Sequence, residues 1–290
     1  MRIPGLHDTS LPDLIKRSLK DFVKDDMATY AAALSYAALF ALFPFLIFLI
    51  ALLGFLNIPE FFDWLLEQAE TAVPVDAYLR LKEVVNQIQA QPRGGLLSFG
   101  IVLAIWASSS GIRSLMNALN VAYDVEETRP AWKRYALSIA YTFGLAILLM
   151  GGAALMLLGP QAIEWIADQA GLGDVFVTLW TWLRWPVVVV VLMLAAALVY
   201  YVAPNADQPF ALITPGAVMA VVSWIVASIG FSIYVSNFSN YSATYGTLGG
   251  VIVLLLYFYI SSAVLLLGAE MNAVLRRIEL GEPEPKDAPA

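Results

Sequence analysis

The chain has 290 residues, of which 60% are hydrophobic and 13% charged, with a formal charge of -7. Soluble domains carry about 25% charged residues, so this chain cannot coat a globule with a solvated surface, and a soluble enzyme is excluded. Disorder needs low hydrophobicity and high charge, and nucleic-acid surfaces are net basic, so both are excluded as well.

In chain order, residues 1–26 make a cytoplasmic N-terminal segment. Within it, 10–24 repeat Leu11, Leu14, Ile15, Leu19, Phe22 and Val23 at helical spacing, with Lys16, Arg17, Lys20 and Lys24 on the other faces. Ser10 and Asp13 form a capping-box-like start. Such an amphipathic helix either lies on the inner leaflet or packs on the cytoplasmic loops.

A membrane helix needs about 20 mostly apolar residues. Charge-free windows place spans at about 28–56, 96–112, 136–159, 186–203, 212–235 and 246–268 of a membrane domain covering 27–278. The last two share one uncharged run, divided by the turn-prone Ser236–Ser242. Between the first two spans, 59–93 is expected to form an outer helical hairpin broken at Pro74, and the Pro- and Glu-rich tail 279–290 is expected to be disordered. The predicted fold is all-α, a polytopic membrane protein with six transmembrane helices.

Orientation follows the lysines and arginines. Arg2, Lys16, Arg17, Lys20, Lys24, Arg113, Arg129, Lys133, Arg134, Arg276, Arg277 and Lys286 fall on the side of the termini. Only Arg80, Lys82, Arg93 and Arg184 fall opposite. The termini are therefore expected in the cytoplasm. Trp64, Trp165, Trp180, Trp182 and Trp185 then mark the outer head-group layer.

Three stretches resemble the YihY/BrkB family of bacterial inner-membrane proteins, which carries the older label ribonuclease BN. They are Asp26 with Ala31–Ala33, Tyr36 and Phe43-Pro44; Gly111 through Asn117, Asn120, Arg129 and Trp132-Lys133; and Tyr245-Gly246 through Gly249, Tyr257 and Gly268-Ala269-Glu270 with Asn272. The resemblance covers about residues 15–278. It implies a six-span inner-membrane protein, in a family for which lipid transport has been proposed.

Chemistry narrows the function further. With no cysteine and the single histidine His7, a cysteine or histidine metal site and a Ser/His/Asp arrangement are out of reach. No phosphate-binding G-x-x-x-x-G-K-[ST] loop is present. The acids Asp25 with Asp26, and Asp124 with Glu126 and Glu127, are read as solvating membrane-edge loops. No cofactor, metal or catalytic residue is expected.

Polar groups at the membrane ask for a partner or a pathway. Arg113 and Glu270 end spans two and six at the same edge, followed by Asn117, Asn120 and Asn272. With Asp26 and Tyr36 they make a candidate polar pathway or inner gate. The blander reading is an Arg113–Glu270 salt bridge pinning two helix ends, with Asp26 as rival partner for Arg113. Small residues mark helix packing: Ala33, Ala37 and Ala41 on span one, Gly246 and Gly250 on span six, against another span or another copy of the chain. Trp224, Ser228 and Ser232 form a semi-polar stripe, and Tyr234, Tyr241, Tyr245, Tyr257 and Tyr259 read as an aromatic belt.

The expected function is a transporter or flippase-like protein for a lipid or amphipathic solute, with membrane lipids as partners. The alternative is a structural or assembly membrane protein without a transport path, and a membrane-bound ribonuclease is remote.

Overall fold

Ser10 starts the first helix by accepting from the Asp13 N–H at 3.4 Å while its hydroxyl donates to the Asp13 carboxylate at 2.6 Å. In the computed structural model this helix is α1, Leu11–Lys24. The structure describes residues 10–56, 66–67, 78–79, 82–83, 94–157, 174–237 and 241–281. The other long helices are α2 (Met27–Leu56), α3 (Gly94–Ala122), α4 (Ala131–Leu157), α5 (Asp174–Val202), α6 (Pro215–Asn237) and α7 (Tyr241–Leu280). No strand occurs among the described residues.

Four stretches there are long and apolar enough to cross a membrane: Ser98–Ala122, Val177–Val202, Pro215–Ser236 and Gly249–Leu280. Met27–Leu42 is a shorter apolar helix. The six-span reading is compatible with these helices. Of the expected outer hairpin 59–93, only 66–67, 78–79 and 82–83 are described, all helical; the remainder lies outside the described residues.

The helices overrun most of the predicted spans, for a common reason. A charge-free window ends at the first charge, whereas a helix ends where its backbone is capped. α3 continues nine residues past Arg113. α5 begins at Asp174 and runs through Pro186, a residue tolerated inside membrane helices because neighbours satisfy the freed carbonyl. α6 starts on a strong signal, Pro215 in its first turn and the Thr214 hydroxyl accepting from the Ala217 N–H at 3.1 Å. α7 reaches Leu280 and stops at Gly281, whose φ of 65° suits glycine. Glu279 and Leu280 are thus helical, not part of a disordered tail; 282–290 lie outside the described residues.

The chain divides into two compact units, residues 1–36 with 112–290, and residues 37–111. The larger unit has a core of small and aliphatic side chains: Met27, Ala31, Leu115, Met116, Leu119, Ala196, Val199, Ala217, Ala220, Leu266, Ala269 and Ala273. Small residues there let helices approach closely. The tightest crossing joins α6 to α7. A Cβ on Gly268 would meet the Gly216 carbonyl at 2.6 Å and Ala220 at 2.8 Å. Trp224 Nε1 donates to Ser261 at 3.0 Å and the Ser228 and Tyr257 hydroxyls bond at 3.1 Å, so part of the expected polar stripe and one belt tyrosine are glue between these helices. Outward, Val222, Val226, Ile229 and Ile233 are exposed, a face fit for acyl chains.

The expected packing residues fare unevenly. In the smaller unit, a Cβ on Gly111 would lie 3.6 Å from Ala37, an ordinary contact between α2 and α3. Ala33 is exposed, because the buried face of α2 carries Met27, Ala31 and Leu34 instead. Among the described residues nothing lies within 4 Å of a Cβ on Gly250, and the surroundings of Gly246 lie outside what is described.

Candidate functional site: a cavity and charged network at the helix ends

The short connections after α3 and α5 carry the first network. Glu127 receives Arg129 through two bonds of 2.7 Å, and Asn120 Nδ2 donates to it at 3.0 Å. The Asn205 N–H donates to Asn120 Oδ1 at 2.7 Å, and Arg129 donates to the Ala203 carbonyl at 3.0 Å. The paired, fork-shaped guanidinium suits a carboxylate. It holds the Glu127 carboxyl below its ordinary range, against the opposing effect of burial. Glu127 is therefore a structural tie rather than a solvating loop acid.

A second group joins α3 to α4. Arg113 donates to Ser138 at 3.1 Å and lies 4.2 Å from the centre of the Tyr135 ring. Arg134 donates to Asn117 Oδ1 and, at 3.4 Å, to the Arg113 carbonyl.

The third group lies where α1 meets α7. Arg277 bonds both Asp21 and, at 3.2 Å, Asp124. Asp124 sits just past α3 at φ 52°, and Asp26 in the α1–α2 turn at φ 50°, a conformation that aspartate tolerates better than most residues. Burial, aided by the Asp124 charge, pushes the Asp25 carboxyl up to about 6. Glu270 is fully buried on α7, and neither of its carboxyl oxygens has a hydrogen-bond partner among the described residues.

The expected Arg113–Glu270 pair does not form. Adjacent residues on a helix point about 100° apart, and Arg113 faces α4 whereas Glu270 faces the Asp21–Asp25 end of the bundle. No ion pair between Arg113 and Asp26 occurs among the described residues either; the Asp26 carbonyl accepts from Thr29 and Tyr30 to begin α2.

Beside these groups, α5, the 203–214 connection and α7 line an open cavity of about 420 Å³. Its lining mixes polar groups, Tyr123, Tyr200, Asp207, Gln208, Asn272, Arg276 and Glu279, with apolar ones, Ala197, Ile213 and Leu275. Asn272 accepts from the Gly216 N–H at 2.9 Å, and Tyr200 donates to the Leu265 carbonyl at 2.7 Å. Burial pushes the Tyr123 phenol up to about 12, with Asn272 and Gln208 bonding in the opposite sense. A separate apolar groove of about 150 Å³ between α3, α4 and α5 is lined by Ile112, Leu115, Gly144 and Leu145.

The candidate pathway is thus distributed. Asn272 lines the cavity, Asn120 holds the loops beneath it, Arg113 and Asn117 face α4, Glu270 stands alone, and Tyr36 is exposed on α2. Sequence reasoning missed Tyr123, Tyr200, Asn205, Gln208 and Arg277. The signal available for the first network was Glu127-x-Arg129, two opposite charges in a short connection.

The family model described as Virulence factor BrkB matches residues 18–290. The chain belongs to the BrkB family. Its relatives include the ribonuclease-like protein YfkH of Bacillus subtilis (strain 168), 38% identical over 88% of this chain and 92% of that protein. UPF0761 membrane proteins match too: one from Psychrobacter sp. (strain PRwf-1) at 25% identity, covering 97% of this chain and 51% of its own length. Another, from Chromohalobacter salexigens, is 28% identical over 95% of this chain and 67% of its own. The chain therefore spans about half the length of the Psychrobacter relative. No solved structure matches. With its apolar helices, this BrkB chain is an integral, multi-pass membrane protein.

Proposed function

We propose that this BrkB chain binds a lipid or amphipathic solute in the cavity at the helix ends and moves it between membrane and cytoplasmic edge, with both termini cytoplasmic in a bacterial inner membrane. The observation that carries the reading is the mixed lining, in which the polar Gln208, Asn272 and Arg276 and the acids Asp207 and Glu279 stand among the apolar Ala197, Ile213 and Leu275. Such a lining suits a molecule with a polar head and an apolar body. The test is movement of a head-labelled phospholipid across liposomes holding purified protein, against Ala197→Trp, which fills the cavity. The wild type is expected to exceed the variant by roughly tenfold, about the rate equivalent of 1.4 kcal/mol. Equal rates, at the level of protein-free liposomes, would leave the structural reading in place.

Catalysis is not part of this proposal. Among the described residues no group of three or more His, Asp or Glu side chains converges on a metal-sized site. Purified protein is expected to show no ribonuclease activity above a vector-only preparation. Activity abolished by mutating Asp124, Glu126 and Glu127 would overturn that. Orientation is tested by single cysteines: Asp76→Cys and Asn240→Cys should label from outside, and Glu126→Cys only from inside.

A further inference from the structure

One side of α1 is committed to the protein. Leu14 and Ser18 are buried, Leu14 against Met271, Val274 and Leu275 of α7. The Ser18 hydroxyl is satisfied within its own helix by the Leu14 carbonyl at 2.8 Å, which lets it sit in an apolar seam. So α1 packs against the end of a spanning helix, a support that the sequence reading, which weighed the inner leaflet and the cytoplasmic loops, did not name. That accounts for only half of its surface.

The opposite side carries Lys16, Leu19, Lys20 and Val23, spaced so that they share one face, with Lys24 at its end. Leu19 is 48% and Val23 78% exposed. Among the described residues none of these lysines forms a close ion pair: Asp21 is taken up by Arg277, and Lys24 has a neighbouring acid in Asp25. The helix also lies at a defined level. Two residues, Asp25 and Asp26, join it to apolar α2, and its buried side runs along the last turns of α7. Both neighbours place it where apolar helix gives way to charged residues, the level of the head groups.

We propose that this outward face of α1 docks on the anionic phospholipid head groups of the membrane that the other helices cross. Leu19 and Val23 enter the boundary layer while Lys16, Lys20 and Lys24 meet phosphates. A lysine stem can lie along the apolar boundary with its ammonium in the polar layer. Two large exposed apolar side chains, Leu19 and Val23, among three exposed lysines match the two-sided chemistry of an anionic leaflet. An acidic soluble protein would match the lysines but not a head-group level position. This inference is independent of lipid movement through the cavity.

The chain contains no cysteine, so Val23→Cys can carry one environment-sensitive fluorophore on the full-length protein. It would be placed in nanodiscs of phosphatidylcholine, with or without phosphatidylglycerol, with Glu126→Cys as an exposed reference. With phosphatidylglycerol, the position 23 probe is expected to shift to the blue and be quenched at least twofold more by a lipid-borne quencher. High salt and the triple variant K16E/K20E/K24E should both reverse this, and position 126 should not respond. The substituted side chains point outward, and an unchanged elution volume would confirm folding. Leu19→Cys provides a second probe should the first perturb packing. Equal quenching in both lipid mixtures, or protection only on adding an acidic protein, would overturn the proposal.

Discussion

Two carboxyls near the same edge of the molecule have opposite surroundings. Glu127 lies in a connection and is met by Arg129 twice and by Asn120 once. Glu270 lies on α7 ahead of its last turns, is fully buried, and receives no hydrogen bond from the described residues. The first arrangement is what a structural charge needs, because an ion removed from water requires partners that replace its hydration. The second lacks that compensation, so Glu270 stabilises little where it stands. Sequence reasoning took Glu127 for a solvating loop acid and singled out Glu270 on the helix; the contrast predicts that the fold depends on the first and can spare the second.

The contrast can be broken by substitution, with thermal unfolding of the detergent-purified protein as the measurement. Glu127→Ala leaves a mostly buried Arg129 without its carboxylate and is expected to cost about 3 kcal/mol, as for a broken buried pair. A cost below about 0.5 kcal/mol, typical of an exposed pair, would mean the network is ornamental. Gly268→Val asks whether packing alone fixes α7, since the new side chain would drive into the Gly216 carbonyl and Ala220. About 2 kcal/mol or more is expected from such overpacking, and an unchanged midpoint would deny the close crossing.

Asp25 supplies a pH test of the α1–α7 edge. Its carboxyl titrates at about 6 against an ordinary 3.8, so the folded state holds the proton more tightly than the unfolded one. Its contribution to stability is present below the ordinary value and is lost as pH rises through about 6. Asp25→Asn is expected to flatten the fall in midpoint between acid and neutral pH. A slope identical to wild type would remove that role. The smallest effect is reserved for Glu270→Gln. A neutral group of the same shape should change stability by less than about 1 kcal/mol, or raise it. A loss as large as that of Glu127→Ala would erase the contrast.

Much of the fold was readable because membrane helices announce themselves by missing charges. The first span, expected at 28–56, is helix Met27–Leu56, and the Leu and Lys periodicity of 10–24 is α1. Helix that continues into the polar zone carries no such mark, so Arg113–Ala122 and Asp174–Trp185 were taken for edges or loops. The site was less legible. Asn120 and Asn272 were singled out for their polarity, and both are buried and bonded. Their partners Asn205 and Gly216 lie 85 and 56 residues away. Which face of a helix a charge occupies turns by about 100° per residue, which is why Arg113 was assigned to Glu270 and is found against Ser138.

The length of α7 has a mechanical side. Forty residues of helix extend about 60 Å, whereas the hydrocarbon core of a bilayer is about 30 Å thick. About half of this rod must therefore stand outside the hydrocarbon, and its far end carries one wall of the cavity as well as the seat of α1. A rod pivoting at the Gly216–Gly268 crossing would turn a small tilt within the bilayer into a displacement of everything mounted on its tip. The cavity mouth and the lysine face of α1 would then travel together as the load on one lever.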